Sequence, residues 1–231
     1  MRKKLFFTSI LTSFFIFNSC QENDAIKPNI VWLVIEDQSQ YFFPFYGDDT
    51  IELQNINQLL DNGIVYEGMN SPYPVCAPSR SAIITGMYPN SIGTGNQRAY
   101  SYYRAEREEH EKQLGFPFYS SKFAEQIKPF TQILRENGYY TSNNDKEDYN
   151  FKLTNEAWDD SSSNASWENR EADKPFFSVF NFGITHESQI WLRDKQVLKV
   201  NPTDIKVPPF FPNDSITRHS MAVNYSNILE A

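Results

Sequence analysis

Residues Ile30 to Ile35 form an unbroken apolar run rich in branched side chains, and the run stops at the acidic pair Glu36-Asp37. That pattern predicts a parallel strand buried on both faces. The C-terminal end of such a strand is where open α/β sheets hold their ligands, which puts Glu36 and Asp37 at a candidate site. Leu53 to Leu60 has helical spacing and Asn62-Gly63 is its C-cap. Ile64 to Tyr66 then returns as a short strand. A further helix runs from Ser79 to Thr85, with Pro78 in its first turn, where a missing N–H costs nothing. Phe130 to Glu136 is helical up to the stop Asn137-Gly138, and Tyr139-Tyr140-Thr141 follows as a strand. Lys174-Pro175 introduces the strand Phe176 to Phe182, with His186 just beyond its end, and Ser220 to Glu230 reads as a helix. Strands alternating with helices imply βαβ units and a mostly parallel sheet, an α/β fold.

Two stretches interrupt that alternation. The charged run Arg104 to Lys112 reads as a solvated loop or helix face covering the site. Asp159 to Asp173, with three consecutive serines and several acids, reads as a surface connection. No internal repeat is present, and the many aromatic residues are assigned to core and loop packing rather than to a sugar platform. At 231 residues the chain has room for one α/β domain with a real core. Its net charge is −8, and becomes −11 once Arg2, Lys3 and Lys4 are set aside with the leader. Nucleic-acid binding, which needs a basic footprint, is therefore excluded. Any anionic ligand must be held by local groups against an unfavourable global field.

The N-terminus carries a targeting pattern. Arg2-Lys3-Lys4 is a positive n-region, Leu5 to Phe17 is apolar but short for a membrane span, and Asn18-Ser19-Cys20 closes the segment. A cysteine there, followed by polar residues, looks like a bacterial lipoprotein processing site with Cys20 as the lipidated residue. Simple secretion with cleavage nearby is the alternative. The expected organisation is a signal peptide over 1–19, a short tether over 20–27 and one domain over 28–231. The protein is then exported, held in the periplasm or at the cell surface of a bacterium by a lipid anchor in the membrane.

The chemistry centres on Cys76-Ala77-Pro78-Ser79-Arg80, with Thr85-Gly86 closing the apolar stretch behind it. Taken alone, Cys76 reads equally as a small buried hydrophobe or as a reactive group. Further motifs stand in order around it: Pro28-Asn29-Ile30-Val31 leading into Glu36-Asp37, then Tyr46-Gly47, Asn55-Ile56-Asn57-Gln58-Leu59-Leu60, Asn62-Gly63 and Thr85-Gly86-Met87-Tyr88-Pro89. With these the chain resembles the type I sulfatase family over nearly its whole exported length. The resemblance implies an alkaline-phosphatase-like fold, with a mostly parallel sheet flanked by helices. It also implies that a formylglycine-generating enzyme converts Cys76 to formylglycine. The hydrated aldehyde offers one hydroxyl to attack sulfur and a second to expel sulfate as the aldehyde re-forms. The two cysteines, Cys20 and Cys76, each have a separate role on this reading, so no disulfide is expected.

The same resemblance assigns the other site residues. Arg80 supplies a fixed positive fork beside the nucleophile, and the helix from Ser79 points its N-terminal amides at the sulfate. Glu36 and Asp37 stand where the family has two aspartates on a divalent cation, calcium or magnesium, to which Cys76 in its modified form also contributes. Asp37 matches directly, whereas Glu36 is one methylene longer, and a solvated acidic loop is the alternative for both. Lys146 looks like the substrate lysine, neutralising a sulfate oxygen, and Asp148 stands where the family has a histidine. His186, in Phe182-Gly183-Ile184-Thr185-His186, resembles the histidine near the leaving-group oxygen, where a group titrating near neutrality suits proton transfer. The remaining histidines, His110 and His219, carry no family match.

A second acidic pair that completes the family's metal site well downstream of the histidine has no counterpart up to Ala231. The expectation is thus an incomplete N-terminal portion of a sulfatase domain, truncated at its C-terminus. Two functions follow. One is hydrolysis of sulfate esters on a sulfated polysaccharide or oligosaccharide, with ulvan, carrageenan and glycosaminoglycans as candidates. The other is a catalytically inactive sulfatase-like lipoprotein that binds sulfated glycan.

Overall fold

The computed structural model describes residues 26–97, 106–122 and 126–231. The leader, Cys20 and most of the tether lie outside the described residues. Within them a parallel sheet is built from β1 (Ile30–Ile35), β2 (Tyr140–Asn144), β3 (Asp160–Ser161) and β4 (Phe176–Phe182), in the spatial order β1-β4-β2-β3. Ile30 pairs with Phe177 and Ile35 with Phe182, while Tyr140 pairs with Phe176 and Asn144 with Phe180. All three pairings are parallel, as the alternating pattern requires.

The helices are α1 (Gln54–Leu60), α2 (Cys76–Thr85), α3 (Arg107–Leu114), α4 (Phe130–Glu136), α5 (Ser188–Leu192) and α6 (Ser215–Ile228). Two clusters form the core. The first packs Phe177 and Val179 of β4 against Ile84 of α2 and the rings of Tyr139, Tyr149 and Trp158. The second joins Ile51 and Leu53 to Met221, Ala222 and Tyr225 of α6. α6 is capped by Asp214, whose side chain accepts from the Thr217 amide at 2.8 Å. That amide and the Thr217 side chain hold the Asp214 carboxyl below its ordinary value of 3.8. The cap therefore contributes fully above that value and is lost as pH falls through the lowered one. The stability difference between wild type and Asp214→Ala, followed by thermal melts, is expected to be constant near neutrality and to shrink below about pH 4.

Several expectations are corrected. Among the described residues β1 lies at the edge of the sheet and is not buried on both faces: Val31 is 43 % and Leu33 55 % exposed. A continuous apolar run shows that a strand is apolar on both faces but not which neighbours it acquires. Ile64 to Tyr66 forms no strand and stays exposed. α2 begins at Cys76 rather than after Pro78, so proline is the third helical residue and its absent donor still falls among the unpaired first-turn amides. β2 extends to Asn144, and α6 starts five residues earlier than its apolar pattern suggested. The connection from Asp159 contains β3, and Asp159 itself ties two elements together. Its carboxylate accepts from the Thr141 amide at 2.8 Å and pairs with Arg135 of α4 at 2.9 Å. The charged run from Arg104 is helical over the described part, α3, and α3 is absent from the walls of the main cleft among the described residues.

Candidate active site

A cleft of about 850 Å3 opens at the C-terminal edge of the sheet, between β1, the N-terminus of α2 and the turn after β4. Its walls include Glu36, Asp37, Cys76, Arg80 and His186. The fold thus gathers five of the sequence-derived site residues from three separate segments. Each arrives by a local rule. Glu36 and Asp37 end β1, and Asp37 adopts φ 53°, a left-handed conformation that aspartate tolerates better than most residues and that turns the chain off the sheet. Cys76 is the first residue of α2, held by an extended Val75 at the N-cap. His186 closes a short 3-10 turn, Gly183–Thr185, directly after β4.

The electrostatic centre is Glu36, which is only 5 % exposed. Its Oε1 lies 2.6 Å from Lys146 Nζ and 3.5 Å from Arg80 Nη2. Asp148 Oδ2 stands 3.3 Å from the same Lys146 nitrogen. Two carboxylates and two cations therefore form a neutral cluster beside Cys76. Arg80 is fixed further by Asn181 Oδ1 at 2.8 Å and the Lys146 carbonyl at 3.2 Å. Asn181 in turn donates to Asn143 Oδ1 at 3.1 Å and to the Asn144 carbonyl at 2.9 Å, linking β4 to β2. Lys146 is absent from the cleft lining and reaches the site through its contact with Glu36.

Asp37 Oδ2 accepts from the Glu187 amide at 2.9 Å and lies 3.7 Å from His186 Nε2. The Ser188 amide donates to His186 Nδ1 at 3.2 Å. A donor on Nδ1 leaves the proton of the neutral ring on Nε2, the nitrogen that faces Asp37. Cys76 is a thiol of intermediate burial, and Gln97 Nε2 approaches its sulfur at 3.7 Å. The Ser79 amide bonds to the Val75 carbonyl at 3.1 Å, so the open amides of α2 are those of Cys76 and Ala77, not the ones after Pro78.

A calcium ion takes about six to eight oxygen ligands. Here Glu36 is committed to two cations and Asp37 to a backbone amide and a histidine. Among the described residues no group of three or more His, Cys, Asp or Glu side chains could hold a metal ion. The residues present do not by themselves make a calcium shell.

Sequence reasoning missed Asn181, Asn143 and Tyr149. Asn181 sits inside an apolar strand, where a lone amide is the available signal. Tyr149 forms part of the cleft floor, and burial pushes its phenol up, so it stays protonated there. His110 and His219 lie outside the cleft, His219 bonding to Asp194 at 2.9 Å.

The sulfatase family profile matches residues 28–218. An ulvan-active sulfatase of Formosa agariphila is 44 % identical over 165 residues, which is 71 % of this chain and 26 % of that protein. Human arylsulfatase D is 28 % identical over 118 residues, 51 % of this chain and 18 % of that protein. Among solved structures, a 2-O GAG sulfatase superposes with a TM-score of 0.56 at 15 % identity, covering 88 % of this chain and 52 % of its own. A protein solved in complex with its substrate D-glucosamine-2-N,6-O-disulfate gives 0.51 at 16 % identity, over 79 % of this chain and 39 % of its own. The chain thus spans about a quarter of its ulvan-active relative and about half of the 2-O GAG sulfatase. The superpositions bear out the expected fold, a mostly parallel sheet with flanking helices.

Proposed function

The chain belongs to the sulfatase family, and on that premise we propose that it acts on sulfate esters of a sulfated polysaccharide through a nucleophile made from Cys76. The observation that carries this reading is the convergence of Cys76, Arg80 and His186 on one cleft. Formylglycine at position 76 would supply the attacking hydroxyl. Arg80, already anchored through Asn181, presents a fixed fork to a sulfate oxygen. His186, with its proton on Nε2, donates to the departing alkoxide oxygen. Lys146, in contact with Glu36, adds positive charge to the site. The partners are a formylglycine-generating enzyme and the glycan, and the ulvan-active relative makes ulvan the first substrate to test. On this reading the protein is exported and tethered to a bacterial membrane through a lipid on Cys20.

The sparse donor set around Glu36 and Asp37 favours a second reading, a non-catalytic protein that binds sulfated glycan in the same cleft. One experiment separates them. The protein is co-expressed with a formylglycine-generating enzyme, conversion of Cys76 is read by peptide mass spectrometry, and inorganic sulfate release is measured on ulvan, carrageenan and glycosaminoglycan fragments with and without calcium. Sulfate release by converted protein is the expected result. Converted protein that releases none from any of them overturns the catalytic reading.

A further inference from the structure

A second cleft, of about 330 Å3, lies beside the first. The two are contiguous along the backbone: Ser39 lines the first and Gln40 and Tyr41 line the second. α6 supports both. Its Asn224 bonds to Gln38 of the first cleft at 3.1 Å, and the next residue, Tyr225, lines the second.

The lining of this second cleft is aromatic and polar together. Tyr41 is 52 % exposed, and its ring meets the edge of Phe210, itself 64 % exposed, at 5.8 Å. Tyr46 is held by a bond from its hydroxyl to the Tyr66 carbonyl at 2.9 Å, so its ring is fixed. Gln40, Asp48 and Lys206 supply hydrogen-bonding groups, and Met221 and Tyr225 complete the lining. Aromatic faces beside planar amide and carboxylate groups suit a pyranose ring, which has an apolar C–H face and a rim of hydroxyls. The volume lies at the small end of ligand pockets, about 300 Å3, room for a sugar unit rather than a folded segment.

Charge decides which kind of sugar. Lys206 is paired with Asp49, and Asp48 is held by Tyr225 and Thr50, so these groups sum to one negative charge. A sulfate would be repelled here. We propose that this second cleft binds a sulfate-free pyranose ring of the same glycan chain whose sulfate ester enters the first cleft. The inference deepens the functional reading above and rests on it for the identity of the polymer. It adds a subsite that selects for alternation of sulfated and unsulfated units.

The test titrates ulvan oligosaccharides, and the same oligosaccharides after chemical desulfation, into protein labelled at methionine methyls. The Met221 methyl is expected to shift with both ligands. Tyr41→Ala is expected to weaken binding of the desulfated chain about tenfold, the loss of one ring contact, and Phe210→Ala, which removes the ring packed against Tyr41 from outside the cleft lining, to weaken it less. Both side chains are more than half exposed, so neither change threatens the fold. A Met221 signal unmoved by either ligand, or wild-type affinity for the desulfated chain in both variants, overturns the proposal. Failure of the broader reading looks different: sulfation would then bring no gain in affinity, and Arg80→Ala would change nothing.

Discussion

Glu36→Gln is expected to lower stability by about 3 kcal/mol, or roughly 6–12 °C in Tm, while strengthening binding of a sulfated oligosaccharide in calcium-free buffer. The two effects have one cause. In the wild type a single buried carboxylate oxygen serves both Lys146 and Arg80. Removing its charge leaves Asp148 as the remaining carboxylate of the cluster, and the local charge rises from zero to +1. Uncompensated buried charge costs about 3–5 kcal/mol in well-enclosed pairs. The lower end applies because the Arg80 and Lys146 side chains retain 14 % and 20 % exposure. That unspent positive charge is then available to an incoming sulfate, which in the wild type meets a neutral cluster. Isothermal titration beside thermal melts reads both quantities. If Glu36 served chiefly as a metal ligand, the variant would instead lose calcium-dependent affinity and gain none without calcium.

Phe177→Ala is expected to cost about 3–5 kcal/mol in urea unfolding, the range for emptying a well-packed aromatic site. Phe177 is 1 % exposed and sits among three rings: Trp32 at 4.9 Å, Phe130 at 5.2 Å and Trp158 at 6.2 Å. The first two meet it edge-on and the third lies nearly parallel, so the site cannot collapse without re-orienting several large side chains. Because Trp32, Phe130 and Trp158 also line the main cleft, the loss is expected to weaken ligand binding as well. Phe177→Leu, which keeps most of the volume, should show a smaller loss in both measurements.

The main cleft explains which parts of the site were readable in advance. Glu36, Asp37, Cys76 and His186 each sit at or just past the end of an element whose boundary is written locally, in an apolar run that stops or a proline in a first helical turn, and Arg80 follows one helical turn after Cys76. Tools such as periodicity detect those boundaries directly. Asn181 and Tyr149 could not be found that way. Their importance lies in a bond between β4 and Arg80 of α2 and in burial under the cleft, and both arise only when distant segments meet.

The sequence by itself determined the alternation of strands and helices, the parallel character of the sheet, the family, and the position of Glu36, Asp37, Cys76 and His186 at or beside element ends. These depend on local periodicity and on short motifs, which survive without knowledge of neighbours. Only the tertiary structure decided that β1 lies at the edge of the sheet among the described residues, that Glu36 is bound to Lys146 and Arg80 rather than free to face a cation, and that an aromatic cleft adjoins the main one. The physical reason is common to all three. Burial and ion pairing depend on which remote groups come within a few ångströms, and about 110 residues separate Glu36 from Lys146 along the chain.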